Sequence, residues 1–121
     1  MFNKLNLERF IIVSHNLTDK PFRIVGTAYG SARSGAYVIG LRIFPGVEFY
    51  LSRDRYRPNQ YVIYSGRQKL VNGEFLYHGS VGNAVDVFRT GEIELYLPDL
   101  RQIYYLRPDP QFERNEIRQA S

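Results

Sequence analysis

The chain has 121 residues, with 16 Lys and Arg against 12 Asp and Glu, 10 tyrosines, 8 phenylalanines and no cysteine. That length sets one domain, which removes about two-thirds of its surface from water on folding. A hydrophobic content of 44% excludes a disordered chain, and the missing cysteines exclude disulfides and thiolate metal sites.

Residues 1–7 carry one lysine, and the apolar run 10–13 is too short for a signal peptide or a membrane span, which needs about twenty apolar residues. The expectation is an intracellular, cytoplasmic protein with no membrane partner. Strands are expected at 7–14 and 22–29. Between the second and third strands, residues 30–35 read Gly-Ser-Ala-Arg-Ser-Gly. A phosphate-binding loop needs Lys and then Ser or Thr after its last glycine, and Ala36 and Tyr37 stand there instead. The segment reads as a hairpin connection with Arg33 at its tip.

Residues 36–51 read as two strands. A two-residue loop at Pro45-Gly46 would mix their apolar faces, so a bulge or corner is expected near 44–46. Residues 53–69 follow, and they hold the whole positive excess: Arg53, Arg55, Arg57, Arg67 and Lys69 against Asp54 alone, a local +4. The remaining eleven cations and eleven anions cancel. A strand is expected at 61–65. Asn72-Gly73 suits a two-residue type I′ hairpin turn that pairs Leu70 with Phe75 and puts Arg67 beside His78.

Residues 81–90 are ambiguous. Val81, Ala84, Val85 and Phe88 share a helical face with Ser80 and Gly91 as caps, and one short helix is favoured there. Residues 92–97 alternate: Ile93, Leu95 and Leu97 face a core while Glu92, Glu94 and Tyr96 face water. A last strand spans 101–106, and the polar segment 107–121, with two prolines, reads as a C-terminal tail. Turn signals every 8–12 residues make the fold mainly β: a small antiparallel barrel or two-sheet sandwich over 1–106. Its expected core is Ile11, Val13, Ile24, Ile39, Leu41, Ile43, Phe49, Ile63, Leu70, Phe75, Ile93, Leu95, Leu97 and Ile103.

Chemistry-bearing constellations are few. His15 and His78 cannot by themselves build a histidine-rich metal site. Glu92 and Glu94 share a face, but a glutamate row on a wet strand face is ordinary solubility patterning. No nucleophile, base and orienting group can be named together, so the reading is non-catalytic, with no cofactor and no metal.

The basic segment is the candidate site. In an extended chain Arg53, Arg55 and Arg57 project from one side, with Tyr56 on the other and Tyr61 and Tyr64 nearby as ring faces. Arg33, Arg67 and Lys69 extend the same surface. Arginine and tyrosine anchors suit a subunit docking on a protein partner or on its own copies within a large assembly such as a virion, with residues 107–121 as an arm. The alternative partner is single-stranded nucleic acid, with arginines on phosphates and tyrosines under bases.

Overall fold

The computed structural model describes residues 7–14, 23–100 and 102–110. Eight antiparallel strands follow one another around a closed barrel: β1 (Glu8–Val13), β2 (Ile24–Ser31), β3 (Ala36–Leu41), β4 (Glu48–Arg53), β5 (Gln60–Lys69), β6 (Phe75–Val87), β7 (Glu92–Leu97) and β8 (Gln102–Pro108). Each strand pairs with the next, and β8 returns to pair with β1, Phe10 opposite Pro108 and Ile12 opposite Leu106. Closure leaves the sheet no free edge, so a barrel stands where a sandwich was the other option. No helix among the described residues is long and apolar enough to cross a membrane.

An eight-stranded barrel is just wide enough for side chains to fill. Here large and small residues alternate around the wall. Phe10, Ile12, Tyr37, Ile39, Leu41, Leu51, Tyr61, Ile63, Leu95 and Leu106 are buried inside. On β2 the residues partnering inward-facing neighbours are Gly26, Ala28 and Gly30, and on β6 they are Gly82 and Ala84. At Gly26 a Cβ would lie 2.3 Å from the Gly40 carbonyl oxygen, so the backbones of β2 and β3 approach only because no side chain separates them.

Several sequence expectations change. Residues 81–87 belong to β6, not to a helix; Ala84 faces the core and Phe88 is exposed in the turn to β7. Val85 and Val87 alternate as strand residues, and the tertiary pairing of β6 with both β5 and β7 overrides the local helical pattern. A register shift between Ile12 and Val13 places Val25 in the core and leaves Ile24 only half-buried. The β3 strand stops at Leu41, and residues 42–47 form a wide loop with Gly46 at φ 80°. This loop brings Ile39 opposite Phe49 and Tyr37 opposite Leu51, which aligns the apolar faces as the expected corner required. It also puts Ile43 in the loop, exposed rather than in the core. Phe49 packs at the core's margin, and Ile103 points outward on β8 and is exposed.

The β8 strand runs on to Pro108, so the tail cannot begin at residue 107. Arg107 is buried on the outer wall and donates to Glu92 Oε2 at 2.6 Å. Glu92 was expected in water; it is 1% exposed. The rest of the tail, residues 111–121, lies outside the described residues, as does His15.

Candidate functional site

The candidate residues fall into three places. The first is the mouth of the barrel at the end of β4. β4 ends at Arg53, whose side chain turns inward rather than out. Its Nη2 donates to the Ala32 carbonyl at 2.9 Å and to the Tyr61 hydroxyl at 3.4 Å, and the guanidinium lies 5.6 Å from the Tyr61 ring centroid. Its Nε is buried against Gly35 with no acceptor among the described residues. Tyr61 is buried and donates to Asp86 Oδ1 at 2.8 Å. Burial raises the Tyr61 hydroxyl above its ordinary range; the Arg53 hydrogen bond opposes this and Asp86 adds to it. Burial likewise raises Tyr37, which meets the Tyr61 ring edge-on at 6.3 Å. The hydrogen bond to Tyr61 raises Arg53 further, so it stays charged. Arg53 and Tyr61 therefore line the barrel mouth, in a pocket of ≈ 310 Å³ shared with Phe10, Tyr37, Asp86 and Leu106, and neither offers the exposed cation or stacking face expected of it.

The second place is the turn 54–59. The expected extended row of arginines is broken here because Asp54 folds the chain: its Oδ1 accepts from the Tyr56 amide at 2.8 Å and the Arg57 amide at 3.2 Å. Arg55, Tyr56 and Arg57 are exposed, Tyr56 at 83%. Among the described residues neither arginine has an ion pair. Arg33 is exposed at the tip of the β2–β3 turn, closed by the Gly35 amide donating to the Ser31 carbonyl at 2.9 Å.

The third place is the far half of the β5–β6 hairpin. Its turn is a three-residue loop, Val71, Asn72 and Gly73, closed by the Leu70 amide donating to the Glu74 carbonyl at 2.7 Å. Gly73 takes φ 88°, which suits a bulged turn rather than the expected two-residue loop. The one-residue difference changes the pairing: Lys69 lies opposite Phe75 and Arg67 opposite Tyr77, while His78 lies opposite Gly66. Leu70 and Phe75, expected in the core, are exposed.

A bulge at Val81 and Gly79 at φ 73° bend this half of the hairpin away from the cylinder. It crosses the outer face of β2 and β3, where Gly73, Phe75 and Tyr77 share a groove of ≈ 280 Å³ with Tyr29, Gly30 and Val38. Rings and a cation line the crossing. Tyr64 stacks on Tyr77 at 5.3 Å, and the Arg67 guanidinium lies 4.6 Å from the Tyr50 ring centroid and 4.0 Å from that of Phe75. Tyr64 is thus half-buried with one ring face already occupied, Arg67 is held by rings, and Lys69 is exposed.

The sequence reading places Phe75 in the core and gives Tyr29, Tyr50 and Tyr77 no role in the site. The alternation of Phe75 and Tyr77 with Leu76 and His78 held the signal, and an assumed turn length one residue short assigned it to the wrong face.

Among the described residues no group of three His, Asp or Glu side chains is placed to hold a metal ion. No protein-family model, no curated protein and no solved structure matches this chain.

Proposed function

We propose that the protein is a non-catalytic interaction subunit, a filled barrel that presents two projections to a protein partner or to other copies of itself. The observation that carries this reading is the β5–β6 hairpin. Leu70, Val71 and Leu76 are exposed on it, Val71 completely. Its inner side is braced by Arg67 between Tyr50 and Phe75. A braced projection tipped with large apolar side chains has the composition of an interface core. The second projection is the turn 54–59, where Tyr56 stands between Arg55 and Arg57, residue types that dominate interface energetics.

The test compares wild type with Val71→Asp/Leu76→Asp and with Arg55→Ala/Tyr56→Ala/Arg57→Ala. Sedimentation velocity over a concentration series reads self-association, and quantitative capture from a lysate of the source cells reads other partners. Wild type should associate, and at least one variant should lose that association with its thermal midpoint unchanged. A strict monomer that retains the same proteins as both variants would overturn the proposal.

A second reading, single-stranded nucleic acid, is favoured by where the carboxylates go. Glu48, Asp86 and Glu94 accept from Tyr50, Tyr61 and Tyr96, and Asp54 from backbone amides, so none of these neutralises an exposed cation. Labelled DNA and RNA strands titrated at low and high salt separate the two readings, because strand binding must fall steeply as salt rises.

A further inference from the structure

The groove beneath the β5–β6 hairpin has a chemistry of its own. It involves no residue of the turn 54–59, nor the outward Leu70, Val71 and Leu76, so it does not rest on the docking reading above. Among the described residues its charged lining is Arg67 and Lys69, with no carboxylate. Arg67 is constrained in an informative way. Its guanidinium lies against the rings of Tyr50 and Phe75, 4.6 and 4.0 Å from their centroids, which leaves its N–H groups to bond. No described residue accepts a hydrogen bond from it. A planar guanidinium with a spare edge matches the oxygens of a phosphate, and Lys69 adds a second charge at the rim. The groove's walls include the rings of Tyr29, 44% exposed, on β2, and of Phe75 and Tyr77 on the hairpin, together with Leu7, Ser34, Ala36 and Val38. Phe75 and Tyr77 lie tilted at 38° with centroids 6.4 Å apart, and aromatic walls favour a flat π-system over an aliphatic chain. The volume of ≈ 280 Å³ lies near the small end of ligand sites, about 300 Å³ and upward.

We infer that this groove binds one nucleoside phosphate unit, its base against Tyr29, Phe75 and Tyr77 and its phosphate on the edge of Arg67 with help from Lys69. The unit is either a free nucleotide or one residue of a single strand. The hairpin supplies both the cations and two of the rings, so the site forms only when the hairpin is seated on β2 and β3.

Titration calorimetry with adenosine 5′-monophosphate, followed by amide chemical-shift mapping, tests this. Binding should saturate, with shifts concentrated at residues 29–38 and 67–77. Inorganic phosphate alone and adenosine alone should each bind at least about tenfold more weakly, since each lacks one half of the recognition. Lys69→Gln, at an exposed side chain that the fold does not need, should weaken binding about threefold to tenfold and lower its salt dependence. Arg67→Gln should weaken it more than tenfold; because Arg67 also braces the hairpin, Lys69→Gln keeps the test valid if that variant misfolds.

A short oligonucleotide that binds with the same shifts while the mononucleotide does not would assign the unit to a strand, in support. Phosphate binding as tightly as the nucleotide, shifts confined to 54–59, or no saturation in low salt by either the mononucleotide at millimolar concentration or the oligonucleotide would each overturn the inference.

Discussion

Glu92 and Arg107 form the most consequential single contact outside the core. They sit one step beyond the last β7–β8 partner pair, Ile93 with Leu106, on the outer wall and almost wholly out of water. A buried pair contributes little net stability, yet removing one partner leaves the other charge buried without this ion pair. Glu92→Ala should therefore cost about 3–5 kcal/mol in urea unfolding, whereas changing both residues to leucine should cost far less.

The tyrosines set the alkaline limit. Tyr37 and Tyr61 are raised chiefly by burial, and Tyr96 is pushed up to about 12 chiefly because its hydroxyl donates to Glu94. A tyrosine whose folded pKa exceeds its unfolded value of 10.0 keeps its proton better in the native state. Its contribution is complete below pH about 10 and is lost as pH climbs through the folded value. The thermal midpoint should hold steady up to pH about 10 and fall between about 10 and 12, with late-titrating tyrosinate absorbance appearing together with unfolding. Tyr96→Phe should make that decline shallower. Tyr61→Phe, which leaves Asp86 and Arg53 each short of a partner, should cost about 1–3 kcal/mol near neutrality.

At the scale of the element, strand patterns were readable where one face is wet and one is dry. β7 shows Ile93, Leu95 and Leu97 buried as its alternation implied. The pattern misled where a single residue of turn or bulge sets the register. The three-residue turn at 71–73 moves Leu70 and Phe75 out of the expected core, and the bulge near Ile12 exchanges Ile24 for Val25. Each is a shift of one in a structure of period two, so every side chain beyond it changes face.

The bend of the hairpin depends on a left-handed residue at Gly79, which also faces Ser65 Oγ at 2.2 Å from any added Cβ. Gly79→Ala should cost about 1 kcal/mol or more from the backbone alone and unseat the hairpin. The readout is loss of protection at the Gln68 and Leu76 amides, a hydrogen-bonded pair of the hairpin, in hydrogen exchange, with the amides of β7 unaffected. Equal loss in both regions would mean that the hairpin and barrel unfold as one unit.

For the whole molecule, closure is the governing event. β1 meets β8 across nearly the full chain, Phe10 opposite Pro108, so the loop entropy of joining them must be spent before the last ladder forms. Unfolding should be a single cooperative transition, and refolding should take milliseconds to seconds, as for other folds rich in non-local pairs. Microsecond refolding, or separate melting of β1–β4 and β5–β8, would contradict this picture of one closed wall.

The composition and period-two patterning by themselves determined a mainly β domain with a sizeable core, and the local charge sum determined that the cationic excess lies in residues 53–69. Both are properties of neighbours along the chain. Which of those cations meet solvent was decided only by the tertiary structure. Arg53 is drawn into the barrel mouth because Tyr61 and the Ala32 carbonyl converge there, and Arg67 is clasped by rings from β4 and β6. Arg55 and Arg57 are left outside by a turn that Asp54 closes. Burial depends on what the closed sheet brings from distant parts of the chain, and no local sum of charges contains that information.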